Sequence, residues 1–173
     1  MSVPSDGGSP WEIPRIPASA GALIFDRAGR LLILKPTYKA GWTIPGGQLE
    51  ETGESPWQGC RRETLEECGL EVKRGRLACV DFLRPRPGRP GGVRFLFDCG
   101  EVPAAARDAV VLQAAEIEDH RWVGRDEADR LLSGPVGRRV ARALDATSTV
   151  YLEDGRPAAG VRAGDPVRRP PAP

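Results

Sequence analysis

The chain has little of what would send a protein to a membrane, a nucleic acid or an oxidising compartment. No apolar run approaches the roughly twenty residues that a bilayer-spanning helix needs, and no leader-like apolar core is present. The formal charge is only +1 and the isoelectric point is near 7.7, so no field of one sign favours nucleic acid or an anionic surface. Histidine occurs once, at His120. Lysine occurs only at Lys35, Lys39 and Lys73, which leaves arginine to carry the positive charge. Four cysteines, Cys60, Cys68, Cys79 and Cys99, show no Cys-x-x-Cys spacing, so reduced thiols are expected rather than disulfides or zinc ligands. A cytoplasmic protein without membrane or nucleic-acid partner is the expectation, and 173 residues suit one domain with tails.

Residues 1–15 are rich in Ser, Pro and Gly and read as a flexible arm that Trp11 and Ile13 would dock. Ser19–Phe25 and Leu31–Leu34 read as strands around the turn Asp26-Arg27-Ala28-Gly29. Further strands are expected at Trp42–Ile44, Arg76–Phe82, Val93–Asp98, Val110–Leu112, Asp119–Val123 and Val150–Leu152. The run Arg84-Pro-Arg-Pro-Gly-Arg-Pro-Gly-Gly92 must be a loop. Asp126–Leu132 and Val136–Ala146 have helical periodicity, the second with Val136, Val140 and Leu144 on one stripe. Pro, Arg, Gly and Ala dominate from Asp154 onward, so 154–173 is expected to be disordered and 16–153 to form the domain. Strands mixed with a few helices predict an α+β fold in layers.

What is abundant is acid at helical spacing. Glu63, Glu66 and Glu67 stand at i, i+3 and i+4, which stacks three carboxylates on one helix face. Like charges so placed repel by a few tenths of a kcal/mol per pair, unless a cation lies between them. A hard divalent ion takes such oxygen ligands together with substrate phosphates. The helix is well marked. Ser55 is the N-cap, Pro56 the first helical residue, Gln58 closes a capping box and Gly69 supplies the left-handed stop, so it should run over Pro56–Cys68. Ahead of it, Trp42-Thr-Ile-Pro45-Gly46-Gly47 reads as a strand entering a glycine-rich loop, whose backbone can approach a ligand closely.

Gly47, Glu54, Arg62, Glu63, Glu66, Glu67, Gly69 and Leu70 resemble the box of the Nudix hydrolase family, the MutT-like nucleoside diphosphate-X pyrophosphohydrolases. Chance gives Arg-Glu-x-x-Glu-Glu-x-Gly in a chain of this length about once in 10⁴, so the match is not an ordinary charged helix. Two departures stand out: six residues rather than five separate Gly47 from Glu54, and Thr64 replaces an aliphatic residue. The box spans about residues 46–70, and the wider order of elements extends the likeness to roughly 18–146.

The resemblance implies an α/β/α sandwich with a mixed sheet between helices. It also implies Mg²⁺- or Mn²⁺-dependent hydrolysis of a pyrophosphate bond in a small nucleotide-like substrate: a nucleoside triphosphate, ADP-ribose or a nucleotide sugar. The implied metal ligands are Glu63, Glu66, Glu67 and the Gly46 carbonyl, with Gly47 as the alternative because of the longer loop. Arg62 and Glu54 read as an orienting ion pair. The general base is either a box glutamate or a later acid: Glu116, Glu118 and Asp119 precede Trp122, and Glu118 is taken with the three box glutamates as catalytic. Arg84, Arg86, Arg89 and Arg94 are candidates to grip a distal phosphate or sugar, above all Arg84 and Arg86, and Trp122 to stack a base. A monomer or homodimer is expected. A second class remains, a domain of the same fold that senses a nucleotide without cutting it.

Overall fold

Alternating apolar residues build the first hairpin, β1 (Ala18–Phe25) and β2 (Leu31–Pro36). Its turn is held by Asp26, whose carboxylate accepts the N–H groups of Ala28 and Arg30, while Gly29 takes the positive φ of 71° that the reversal requires. On β2, Leu31 and Ile33 face one side of the sheet and Leu32 and Leu34 the other, and all four are buried, so the strand sits between two layers. The computed structural model describes residues 15–51 and 53–162. The arm expected at 1–15, apart from Arg15, and the tail residues 163–173 lie outside the described residues.

The chain continues through β3 (Gly46–Gln48), α1 (Pro56–Cys68), β4 (Arg76–Leu83), β5 (Gly92–Glu101), α2 (Ala104–Asp108), β6 (Ile117–Val123), α3 (Arg125–Leu131), α4 (Gly134–Asp145), β7 (Val150–Glu153) and β8 (Arg156–Pro157). The strands form one mixed sheet ordered β6-β2-β1-β5-β4-β7-β8, with β3 also paired to β1. The pairs β1–β5 and β4–β7 are parallel and the others antiparallel. Cys60 and Cys68 of α1 cover Ala22, Ile24, Leu32 and Leu34 on one face. Ala128, Leu132, Val140 and Ala143, from α3, α4 and their junction, cover Leu23, Ile33 and Leu96 on the other. The result is an α+β sandwich, held by aliphatic side chains whose burial stabilises by roughly 1.5–3 kcal/mol each.

A fork in β1 positions the site. β2 pairs with β1 only at Phe25–Leu31 and then turns to β6. The freed edge of β1 takes β3, with Ser19 opposite Gln48, Ala20 opposite Gly47 and Gly21 opposite Gly46. A Cβ on Gly46 would lie 2.3 Å from the Ala20 carbonyl oxygen, and its φ is 144°, so only glycine fits there.

Four sequence expectations need correction. The strand expected at Trp42–Ile44 is instead a single bridge of Thr43 to Leu34, and pairing falls on the glycines. Val110–Leu112 forms no strand. That segment follows the unforeseen α2 and binds the end of α1, with the Val111 N–H donating to the Cys68 carbonyl and the Gln113 N–H to the Glu67 carbonyl. Order also runs past Asp154, because Asp154 at φ 53° and Gly155 make a turn into β8. The helices Arg125–Leu131 and Gly134–Asp145 each start one or two residues before the periodic stretch.

Candidate active site

The cap signals place α1 as the sequence suggests. The Gln58 N–H donates to Ser55 Oγ (3.2 Å), the Ser55 N–H donates to Gln58 Oε1 (2.9 Å), and Gly69 closes the helix at φ 70° with its N–H on the Leu65 carbonyl. Thr64 is fully buried and its hydroxyl donates to the Cys60 carbonyl (2.7 Å), so the polar atom is satisfied and the methyl is left to pack.

With α1 docked on β3, the carboxylates meet the glycines. Glu67 is 2% exposed, and its Oε2 accepts the Gly46 N–H at 2.8 Å. The visible contact of Gly46 is thus its N–H. Glu63 lies against Gly47, where a Cβ would fall 2.4 Å from the carboxyl carbon. Arg62 grips Glu54 with two bonds, Nε to Oε1 (2.8 Å) and Nη2 to Oε2 (3.0 Å). It also donates to Glu63 (2.9 Å), Glu66 (3.0 Å) and the Gln48 carbonyl (3.0 Å). One guanidinium thereby fixes β3, the loop and α1 together. In the longer loop after β3, the Glu50 N–H donates to Glu54 (3.0 Å). The loop leaves the Gly46–Gly47 pairing with β1 untouched.

The electrostatics are uneven. Burial pushes Glu67 up to about 7, and the charges of Glu63 and Glu116 add to that. Glu63 is also raised, by burial first and then by Glu66 and Glu116, against the pull of Arg62. Glu54 lies below its ordinary 4.5 because Arg62 hydrogen-bonds it.

Two neighbours of the carboxylates, Tyr38 and Lys39, are absent from the sequence reading of the site, and a third, Glu116, is one of its late acids. The charge of Glu116 reaches both Glu63 and Glu67, and Lys39 and Tyr38 feel Glu67. The loop of Tyr38 is tied to that of Glu116, since the Thr37 N–H donates to the Glu116 carbonyl (2.8 Å) and the Thr37 hydroxyl to the Ala115 carbonyl (2.9 Å). No residue pattern announces Tyr38 or Lys39. Glu116 is one of the three late acids ahead of Trp122. Glu118, the late acid expected to be catalytic, pairs with Lys35 (2.5 Å) on the exposed surface of β2–β6. Trp122 packs into the α1-side core, with its indole N–H buried and without a partner among the described residues. Arg84 is bound to Glu153 and Asp154, and Arg86 to Asp154 (3.3 Å).

Among the described residues no three acidic, His or Cys side chains already converge as ligands of one ion, because Arg62 holds Glu63 and Glu66 while Glu67 turns to Gly46. The donor chemistry nevertheless fits a hard cation. Glu63 and Glu67 are raised by burial, Glu66 is exposed beside them, and the floor is glycine backbone that a Cβ would obstruct. No described helix is long and apolar enough to cross a membrane.

The family model for the NUDIX domain matches residues 15–144. Among solved structures, the MutT protein from Methanosarcina mazei Go1 is 27% identical, over 70% of this chain and 86% of that one, at a TM-score of 0.58. An Ap4A hydrolase binary complex from C. elegans is also 27% identical, over 67% and 85%, at 0.52. The NUDIX domain of Shewanella oneidensis NrtR, complexed with ADP ribose, shares the fold at 17% identity, over 80% and 93%, at 0.65. No curated protein matches the chain. The matched span covers strands β1 to β6, the capped helix and its carboxylates, and the chain belongs to the NUDIX family as one of its pyrophosphohydrolases.

Proposed function

We propose that the chain hydrolyses a pyrophosphate bond of a nucleoside diphosphate-X compound with a divalent metal, Mg²⁺ or Mn²⁺, held by Glu63, Glu66, Glu67 and the Gly46 backbone. The observation that carries this reading is the docking of two burial-raised carboxylates onto the glycine edge of β3. The metal would neutralise phosphate charge and lower the pKa of water. The chain's own groups do the rest. Arg62, locked by Glu54, holds Glu63 and Glu66 in register with β3, and errors of position alone cost large rate factors.

In the reaction, the oxygen of water joins one phosphorus and the bridging oxygen leaves with the other phosphate. The proton from water needs an acceptor. We assign that role to Glu116, whose charge acts on Glu63 and Glu67, while Lys35 occupies Glu118. The catalytic unit is taken as residues 16–153 with the β8 turn packed on it, and the cytoplasm, where its free cysteines would stay reduced, as its place.

Purified protein with Mg²⁺ should release nucleoside monophosphate, phosphate or pyrophosphate from some member of a panel of nucleoside triphosphates, ADP-ribose, nucleotide sugars and dinucleotides. Inactivity across the whole panel contradicts the reading. Glu116→Gln should lower kcat by about 10²-fold or more, whereas Glu118→Gln should stay within a few-fold. The reverse order would move the base to Glu118.

A further inference from the structure

A cleft of about 290 Å³ opens on the α4 side of the sheet, between the β4–β5 loop, β3 and the first turn of α4. Arg84, Arg86, Arg89 and Arg94 line it with Gln48 and Pro135, and Asp154 is the one acid in the lining. The four arginines are not equivalent. Arg84 and Arg86 are spent on Glu153 and Asp154. Among the described residues, neither Arg89 nor Arg94 has a carboxylate within 4.0 Å.

Arg94 is the unusual one. It is half-buried on β5, and among the described residues its guanidinium donates only to the carbonyls of Gly91 and Val93, each at 3.3 Å. A Cβ on Gly92 would lie 2.8 Å from Arg94 Nη1, so the glycine makes room for the head group. Burial, and then the nearby Arg139 charge, lowers its pKa, so its environment disfavours the cation it must carry. Arg139 is itself engaged by Asp81 at 2.9 Å. Asp81 faces Arg94 across β4–β5 and favours its charge, but both Asp81 oxygens are taken, one by Arg139 Nε and one by the Gly155 N–H, so the Arg94 head group has no carboxylate of its own and an arriving anion would supply one.

The cleft also lies in register with the catalytic strand. Arg94, Ser19 and Gln48 form one row across β5, β1 and β3. Gly46, the partner of Glu67, is two residues from Gln48, roughly 7 Å along the strand. The Gln48 carbonyl accepts Arg62, so β3 serves both places. Arg89 is presented by a tight turn in which Arg86 and Arg89 exchange backbone hydrogen bonds and Gly88 takes a φ of 73°.

We infer that Arg94 and Arg89 seat a phosphate of the substrate beyond the pyrophosphate bond being cut, which makes the chain prefer substrates whose X moiety carries a phosphate over those whose X is uncharged. This rests on the hydrolase reading above and selects nucleoside triphosphates over nucleotide sugars and ADP-ribose. Guanidinium pairs with phosphate through parallel hydrogen bonds, and an uncharged sugar would leave Arg94 unpaired.

Two readouts on the full chain separate this claim from the reading beneath it. The first is metal-free binding of inorganic pyrophosphate, by calorimetry, to wild type, Arg94→Met, Arg94→Lys and Arg89→Ala. Arg94→Met should weaken binding at least tenfold, Arg94→Lys less, and the melting temperature of Arg94→Met should not fall. The second is the ratio of kcat/KM for a nucleoside triphosphate over a nucleotide sugar with Mg²⁺, which should drop tenfold or more in Arg94→Met, chiefly through KM. Equal pyrophosphate affinity in wild type and Arg94→Met, or a ratio unchanged within twofold, overturns the inference while turnover upholds the hydrolase reading. Arg94-dependent binding without turnover of any substrate upholds the anion seat and overturns the hydrolase reading.

Discussion

At the scale of single residues, Gly47 shows how little room the site allows. Its backbone is ordinary, and the obstacle to a side chain is the Glu63 carboxylate, 2.4–2.6 Å from where a Cβ would be. Gly47→Ala should therefore displace Glu63, cutting kcat by about tenfold or more while shifting stability by less than about 1 kcal/mol. Equal kcat would show that Glu63 need not lie against the strand. Glu54 gives a pH signature. Arg62 holds its pKa below the ordinary 4.5, so the pair contributes stability above pH 4.5 that is lost as pH falls through the lowered value. Urea midpoints of Glu54→Gln should be lower than those of wild type at neutral pH, with the gap closing as the pH falls below 4.5 and through the lowered value. A gap that persists unchanged into acid would mean that packing rather than charge is lost. Glu116 and Glu118 are near neighbours in sequence, and the register of β2 against β6 shifts between Lys35 and Pro36 beside them.

At the scale of elements, α1 was legible to its ends because its signals are local: a capping box, a proline at N1 and a left-handed glycine. Strand pairing is not local. Trp42-Thr43-Ile44 has the residues that favour strands, yet Gly46–Gln48 pairs, because β1 leaves no room for a Cβ at Gly46 and the Glu63 carboxylate leaves none at Gly47. The β7–β8 turn went unread for a similar reason, since its anchor is distant in sequence. Buried Asp81 on β4 accepts Arg139 Nε from α4 (2.9 Å) and the Gly155 N–H from that turn (2.9 Å). Asp81→Ala would leave Arg139 buried without its partner and should cost about 3–5 kcal/mol by urea denaturation. A loss under about 1 kcal/mol would show that the pair does not join these elements.

At the scale of the whole molecule, the sequence conveyed the layered fold and the reaction class, since both follow from the box and its flanking strands. It could not convey which acids and arginines converge, because Gly46 and Glu67 stand 21 positions apart and meet only in the fold, while Glu116 and Arg94 come from other strands and loops. The fold brings them to β3 from both faces of the sheet, carboxylates from α1 on one and the arginine cleft beneath α4 on the other.

The central claim is that the α1 carboxylates perform metal-assisted hydrolysis, and the most direct test is kcat of Glu67→Gln with saturating Mg²⁺ on the best substrate of the panel. The account predicts a fall of about 10²-fold or more, since a metal contributes several kcal/mol and each 1.4 kcal/mol is a factor of ten, with the melting temperature unchanged or raised. A kcat within about threefold of wild type would contradict it.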